Sequence, residues 1–229
     1  MNYIGIDISI NSTAVYIENK KNMIILSFTN KKENNKYIEE LSKYGVIFHH
    51  IHREKSDIYS DNEIFKLNHY INLSKLISNE IIKVIDNNQT TYCNIEGFSF
   101  SKNTSSILDI VSLSTLIKSE LIKNIEDIKM SIISPSSLKL ETCKLVYKPI
   151  NIGKKKVIYK YINNSGISGG SFKKHQMFEA IIDGNINNPI FDMLVKNVDI
   201  LKMKKIPNPI EDIIDAIFAC KIKMTEISI

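Results

Sequence analysis

Acidic residues interrupt three otherwise apolar stretches of this chain, and they limit the folds that it can adopt. A lone ionised carboxylate inside a protein opposes folding by several kcal/mol or more unless a cation or hydrogen-bond donors meet it. Three such interruptions favour one shared cause, and a divalent metal ion is the simplest. The acids are Asp7 in a run over residues 3–8, Glu96 in a run over residues 91–100, and Asp212 and Asp215 in a run over residues 210–220.

The composition is that of an ordinary soluble globular protein. Hydrophobic residues make up 43% of the 229 residues, which is enough for one sizeable core. A net charge of +5 is compatible with a polyanionic partner but does not require one. The three cysteines lack a C-x-x-C spacing, so no zinc site is predicted. Because no run approaches the roughly 20 apolar residues of a membrane span, and no signal peptide is recognised, we expect an intracellular protein without membrane association.

Short connections predict an antiparallel meander at the start of the chain. Strand-like runs cover residues 3–8, 13–18 and 23–28, and only a few turn-forming residues separate them. Connections that short join antiparallel neighbours. Residues 46–51 are expected to be extended.

A long amphipathic helix is predicted to follow. Ser60 and Glu63 have the S-x-x-E spacing of a capping box, and residues 86–89 end the pattern. A helix between two strands implies a crossover, so the strand with Glu96 is predicted to lie parallel to the first strand. The apolar positions at helical spacing are Ile64, Leu67, Ile71, Leu76, Ile77, Ile81, Val84 and Ile85.

The remaining pattern predicts further helices and one more strand. A second amphipathic helix over residues 105–122 places Leu108 among its inward residues, and a strand over residues 129–133 follows. Together these units predict an α/β fold with a mixed central sheet, in which three antiparallel strands precede parallel strands and helices flank the sheet. Later helices are predicted over residues 172–182, over 190–201, and from Asn208 as N-cap with Pro209 at the first helical position.

Residues 139–175 carry an excess of lysine and several glycine and proline residues. Nine lysines stand there against one acid, Glu141, a charge bias suited to phosphate contacts, although a solvated loop is the alternative. The tyrosines of this segment are interpreted either as stacking on exposed bases or as packing residues. They are Tyr147, Tyr159 and Tyr161.

The four acids have the chemistry of a site for hard divalent cations. A parallel neighbouring strand brings Glu96 beside Asp7, and Asp212 and Asp215 share one face of a helix. Carboxylate oxygens suit Mg²⁺ or Mn²⁺, and two such ions can act on the attacking and leaving oxygens of a phosphodiester. Taken alone, the helical pair could serve only the helix dipole, and Asp7 could cap a turn.

The ordered set of motifs resembles the RNase H-like nucleases, and most closely the RuvC-type Holliday junction resolvases of the phage and viral branch. The matching pieces span nearly the whole chain. They are IGIDIS over residues 4–9, NSTA over 11–14, IEGFSF over 95–100, ISPSSLK over 133–139, KKHQM over 173–177 and IEDIIDA over 210–216.

This resemblance implies an RNase H-like fold and a specific activity. The protein would be a Mg²⁺-dependent endonuclease that resolves four-way DNA junctions by paired nicks, as a homodimer, with Mn²⁺ able to replace Mg²⁺. Asp7, Glu96, Asp212 and Asp215 would bind two ions, and Lys174 would support the developing charge. The chain departs from the family at Ala14, where many relatives have glycine. It also departs in a lysine-rich insertion at about residues 141–164. The whole chain, residues 1–229, is predicted to form a single nuclease domain.

Further residues are predicted to contact DNA. Phe98 and Phe100 are interpreted as wedges at a junction centre or as core residues, and Asn103 as a phosphate contact or a helix cap. The lysines assigned to the DNA-binding surface are Lys139, Lys154, Lys155, Lys156, Lys173 and Lys174.

Three other functions are compatible with parts of the pattern. A related RNase H-like nuclease could act on flaps or single strands, and the acids would not distinguish it from a junction resolvase. An actin-like ATPase or sugar kinase also begins with a G-x-D strand, but this chain lacks suitably placed phosphate-binding glycines. A DNA-binding module without catalysis would not need all four acids. His50 and His52 could meet on one face of a strand, but no further ligand at suitable spacing supports a metal site there.

Overall fold

The computed structural model describes residues 1–32, 35–98, 104–152, 159–184, 189–201, 203 and 206–222. In these ranges, no helix is long and apolar enough to cross a membrane. Five of the predicted DNA contacts lie outside the described residues: Phe100, Asn103, Lys154, Lys155 and Lys156.

A mixed sheet of six strands forms the centre of the structure: β1 (Asn2–Asp7), β2 (Ser12–Glu18), β3 (Met23–Thr29), β4 (Val46–His50), β5 (Thr91–Glu96) and β6 (Ile128–Ile133). Its order is β4–β3–β2–β1–β5–β6. The first three strands are antiparallel neighbours, whereas β5 pairs parallel with β1 and β6 parallel with β5. The edge strand β4 adds parallel to β3. The predicted α/β fold with a mixed central sheet is therefore confirmed.

Helices cover both faces of this sheet. The described residues form α1 (Lys36–Lys43), α2 (Tyr59–Val84), α3 (Thr104–Asn124), α4 (Pro135–Val146), α5 (Lys174–Gly184), α6 (Pro189–Lys196), α7 (Val198–Leu201) and α8 (Ile210–Lys221). Two short strands, β7 (Pro149–Asn151) and β8 (Tyr159–Tyr161), pair separately from the main sheet. Ser134 caps α4 by accepting a hydrogen bond from the Ser137 N–H at 3.1 Å.

Alternating side chains divide the interior into two cores. On β2, Val15 and Ile17 face the core that α2 and α3 complete. Ala14 and Tyr16 point to the opposite face, where α4, α5, α6 and α8 complete the second core. Because nearly every residue of α8 is buried, that helix reads in the sequence as an almost continuous apolar run.

Gly5 allows α8 to pack directly on the backbone of β1. A Cβ atom at this position would overlap the Ala216 carbonyl oxygen and the Cys220 nitrogen, and it would lie 2.9 Å from the Cys220 Cβ. The contact therefore requires glycine. It sets the height of α8 above the sheet and brings the first turns of this helix to the end of β1 that carries Asp7.

The start of α2 corrects one sequence prediction, and the start of α8 corrects another. The N-cap of α2 is Ile58, in an extended conformation and without a side-chain cap, so Ser60 lies inside the helix and forms no capping box. Pro209, and not Asn208, precedes the first residue of α8. Sequence spacing locates a helix start only to within a residue or two, because the cap is decided by which residue leaves the helical conformation.

Three apolar residues predicted to face inward are instead exposed. The exposed fractions are 56% for Ile64, 54% for Leu67 and 66% for Leu108. With 26 residues, α2 is about 39 Å long, whereas a strand of six residues covers only about 20 Å. Its first turns therefore extend past the sheet, and its buried residues begin at Tyr70.

We expect Gly5→Ala to destabilise the fold by about 2 kcal/mol or more, because a methyl group at this point forces two backbones apart. Urea denaturation followed by circular dichroism measures the change. Gly97→Ala is the matched control, since a Cβ there would meet no atom closer than 3.3 Å. Equal unfolding midpoints for the two variants would contradict the importance of the Gly5 contact.

Candidate metal centre

Asp7 and Glu96 lie side by side at one edge of the sheet. Each is the last residue of its strand, and the register pairs Ile6 with Ile95 immediately before them. Both strands run in the same direction, so both carboxylates leave the sheet at the same edge. The predicted parallel pairing of the two acidic strands is confirmed.

The first turns of α8 bring two further acids to this edge. Asp212 and Asp215 are 6% and 2% exposed, respectively. Carboxylate oxygens of Asp7, Glu96 and Asp215 all lie within 4.8 Å of one another. Asp212 is close enough to Asp7 to raise its pKa. The four acids that the sequence singled out therefore come together from three separate elements.

Burial and mutual repulsion disfavour the ionised forms of these acids. Burial raises the pKa of Asp7 well above its ordinary value, and the neighbouring Glu96 and Asp212 raise it further. Burial also raises the pKa of Glu96. For Asp212, burial raises the pKa to about 7, although the Ser12 hydroxyl and Lys174 act in the opposite direction. Without a cation the folded site therefore favours protonated carboxyl groups.

The donor set fits hard divalent cations. Oδ2 of Asp212 and Oδ1 of Asp215 are buried, and neither has a hydrogen-bond partner among the described residues. A buried carboxylate oxygen without a partner opposes folding, and a cation would remove that penalty. Asp7, Glu96 and Asp215 offer oxygen ligands at suitable mutual distances. Within the described part of the chain, no other group of three His, Cys, Asp or Glu side chains has such an arrangement.

Lys174 brings a positive charge into contact with the acids. It is the first residue of α5, and its ammonium group pairs with the Asp215 carboxylate and lies 3.6 Å from Glu211. The neighbouring Lys173 is exposed, and its backbone N–H donates to the Gln176 side chain at 2.6 Å. Of these two lysines, only Lys174 therefore reaches the acids.

Glu211 is a site residue that the sequence analysis missed. It lines the same cleft as the four acids, contacts Lys174 and raises the pKa of Asp7. Its position next to Asp212 at the start of α8 could have indicated a role in the site. Acids in the first turn of a helix are also expected for another reason, a favourable interaction with the helix dipole, so this position alone does not distinguish the two roles.

A cleft of about 390 Å³ opens above the acids. Lys139, from α4, lines it together with Phe98, which follows the end of β5. Phe98 is 37% exposed, so the interpretation of this residue as part of the core is wrong. Its position at the cleft agrees with the alternative, a contact with a ligand.

The described tyrosines of the lysine-rich segment pack against the protein. The Tyr147 hydroxyl donates to Asp183 at 2.5 Å, and its ring meets Phe172 edge-on at 6.4 Å. Tyr161 packs against the core, with the Lys144 ammonium 5.7 Å from the centre of its ring. These contacts favour the packing interpretation over base stacking.

Three solved structures are similar to this chain at low sequence identity. Thermus thermophilus RuvC in complex with a Holliday junction substrate is 8% identical with a TM-score of 0.43, and the match covers 96% of this chain and 91% of that one. Another T. thermophilus RuvC structure is 10% identical with a TM-score of 0.40, and the match covers 96% of this chain and 91% of that one. The yeast mitochondrial Holliday junction resolvase Ydc2 is 11% identical with a TM-score of 0.48, and the match covers 95% of this chain and 75% of that one. No protein-family model and no curated protein matches the sequence.

We expect the metal-free protein to be more stable at pH 5 than at pH 8. The folded pKa of Asp212, about 7, exceeds the unfolded value of about 3.9, so the folded state binds more protons between these values. Stability therefore falls as the pH rises through this window, and Mg²⁺, which binds the ionised form, should stabilise the protein more at pH 8. Thermal melts in EDTA and in Mg²⁺ measure both effects.

Asp212→Asn should flatten this pH dependence, because the amide cannot ionise. Asp192→Asn, which changes an exposed acid on α6, is the matched control and should melt like the wild type at each pH. Identical pH profiles for Asp212→Asn and the wild type would contradict the assignment.

Proposed function

We propose that this chain is a metal-dependent endonuclease that cuts branched DNA and resolves four-way junctions by paired, symmetric nicks. The observation that carries the proposal is the convergence of Asp7, Glu96 and Asp215, with oxygens within 4.8 Å of one another, beside Asp212 at the base of an open cleft. The motifs that resemble RuvC-type resolvases supply the substrate class. The phage and viral branch and the intracellular location stay predictions.

The four acids would hold two Mg²⁺ ions, with Mn²⁺ able to replace them. When bound, such ions stabilise charge on the attacking and leaving oxygens of a phosphodiester. The protein contributes rigid placement: β1 and β5 are interior strands of the sheet, and α8 rests on Gly5. Since its carboxylates need no large movement to reach one another, the site is organised before DNA arrives.

Lys174 has two roles in this proposal. Its ammonium group balances part of the negative charge of Asp215 and Glu211. It also lines the cleft, where it can donate to a phosphate oxygen. A lysine suits this second role because its compact charge lies on a flexible stem.

The DNA-binding surface of this proposal includes the cleft and its surroundings. Lys139 and Phe98 line the cleft directly, and Lys173 is exposed next to Lys174. Asn103, Phe100 and the lysines at 154–156 are retained as predicted contacts. They belong to the same proposal, although they lie outside the described residues.

A homodimer is part of the proposal because a two-fold junction needs two symmetric cuts. The helices α2 and α3 are the candidate interface. Both carry exposed apolar residues, with Ile64 and Leu67 on α2 and Leu108 on α3. Such residues are typical of surfaces that a partner covers.

Asp7→Asn and Glu96→Gln should each lower cleavage of a synthetic four-way junction in Mg²⁺ by roughly a hundredfold or more, since each removes charge from the centre of the site. Both amides keep the shape of the acid, so junction binding should survive. Gel analysis of end-labelled strands measures the nicks, and Asp192→Asn is the control that should cut normally.

The position of the nicks decides between the related activities. Symmetric nicks near the branch point support a junction resolvase. Cleavage of flaps or single strands alongside intact junctions would keep the metal centre but contradict junction resolution. Binding without cleavage in either Mg²⁺ or Mn²⁺ would overturn the nuclease proposal.

Lys174→Gln should reduce the rate of cleavage about tenfold to a hundredfold, because it removes the one described cation that contacts the acids. Lys173→Gln is the matched control and should affect binding more than rate. Single-turnover kinetics separates the two effects. A larger loss of rate for Lys173→Gln than for Lys174→Gln would contradict the supporting role of Lys174.

A further inference from the structure

Arg53 is the only arginine of this chain, in which the other 29 basic residues are lysines. It lies in the irregular segment of residues 51–58 between β4 and α2. A guanidinium group differs from an ammonium group because its planar fork matches two oxygens of one phosphate. A single arginine on a lysine-rich protein is therefore a candidate for a specific anion contact.

The segment with Arg53 lies at the same edge of the sheet as the metal centre. Asp7 on β1 pairs with Ala14 on β2. Two residues earlier on β2, Ser12 pairs with Thr29 on β3, and Thr29 pairs in turn with His50, the last residue of β4. Three inter-strand spacings of about 4.8 Å separate β1 from β4, which amounts to about 14 Å. Nucleic acid lying along this edge would advance by about four nucleotides over that distance, at about 3.4 Å each.

The protein holds this segment in place. The Ile51 N–H donates to the Thr29 carbonyl oxygen at 2.9 Å, which continues the pairing past the end of β4. The His69 ring, on α2, lies close to the backbone of His52, and both residues line one cavity. These contacts hold the backbone immediately before Arg53, so part of the ordering needed for binding is already in place.

The guanidinium group of Arg53 has unused hydrogen-bonding capacity. Its Nε is shielded from solvent and has no hydrogen-bond partner among the described residues, and no described carboxylate forms an ion pair with it. Asp109 is the nearby acid, since both Asp109 and Arg53 influence the pKa of Tyr70. Its carboxylate, however, lies 3.7 Å from the Lys66 ammonium group and forms its ion pair there. A buried donor without a partner normally has a ligand or water that satisfies it.

A cavity of about 360 Å³ adjoins this group. The Asn11 and Asn30 side chains line it, joined by a hydrogen bond of 2.9 Å from Asn30 Nδ2 to Asn11 Oδ1, and Lys55 adds a second positive charge. Asn11 stands immediately before Ser12, which faces Asp212 of the metal centre. A polar path therefore connects the acids to Arg53 along the edge of the sheet.

We propose that Arg53, with Lys55 and the amide of Asn11, binds a backbone phosphate of a DNA arm about four nucleotides from the bond that is cut. The inference rests on the proposed nuclease function and adds to it a binding site on the segment between β4 and α2. The site reads charge and phosphate geometry without base contacts, so it positions an arm of any sequence.

The test compares Arg53→Ala and Arg53→Lys with the wild type in binding a fluorescent four-way junction, by anisotropy in EDTA from 50 to 200 mM salt. Arg53→Ala should bind about tenfold more weakly, and the salt slope should fall by about 0.9 for the lost phosphate contact. Arg53→Lys should keep the slope but regain only part of the affinity. The control is Lys20→Ala, an exposed lysine in the turn at the opposite edge of the sheet.

A scan with single methylphosphonates along one arm then locates the contact. A neutral linkage about four nucleotides from the nick should weaken wild-type binding but should not weaken Arg53→Ala further. Equal salt slopes for Arg53→Ala and Lys20→Ala, or a loss that no single linkage reproduces, would overturn the proposed phosphate site. If the wild type binds DNA but cuts none, the nuclease proposal fails, and the binding scan still decides the role of Arg53.

Discussion

The burial of four closely placed carboxylates is the constraint on which the rest of this structure depends. Burial raises the pKa of Asp7, Glu96 and Asp212, and the negative charges of Glu96 and Asp212 raise the pKa of Asp7 further. A fold holds such a group together only if the surrounding packing outweighs the electrostatic penalty. The acids accordingly stand on two interior strands, β1 and β5, and on α8, a helix that is almost wholly buried.

The close contact at Gly5 converts that packing into site geometry. On one face of the sheet α2 and α3 fill the core, and on the other face α8 lies directly on the β1 backbone. The height of α8 decides how far Asp212 and Asp215 stand from Asp7. Gly5, which has no side chain, therefore helps to determine the distances between the acidic residues of the site.

Much of this arrangement could be predicted because it follows from local rules. A helix between two strands predicts a parallel pair, and two parallel acidic strands bring Asp7 and Glu96 to one edge. A spacing of three residues predicts that Asp212 and Asp215 share a helix face. What could not be predicted depends on distant packing. Tyr147 contacts Asp183 from 36 residues away, and nothing in its neighbourhood distinguishes that contact from a role on DNA.

Charge balance explains why a nuclease of the proposed kind needs contacts well away from its metal centre. A cluster of carboxylates repels the phosphate that it is meant to cut, and bound cations reverse that sign only locally. Affinity must therefore come from positive charge on either side of the acids. Lys139 supplies it on the side of β6, and Arg53 and Lys55 lie on the side of β4. With positive groups on both flanks, the field along this edge would favour a DNA backbone that crosses the acids.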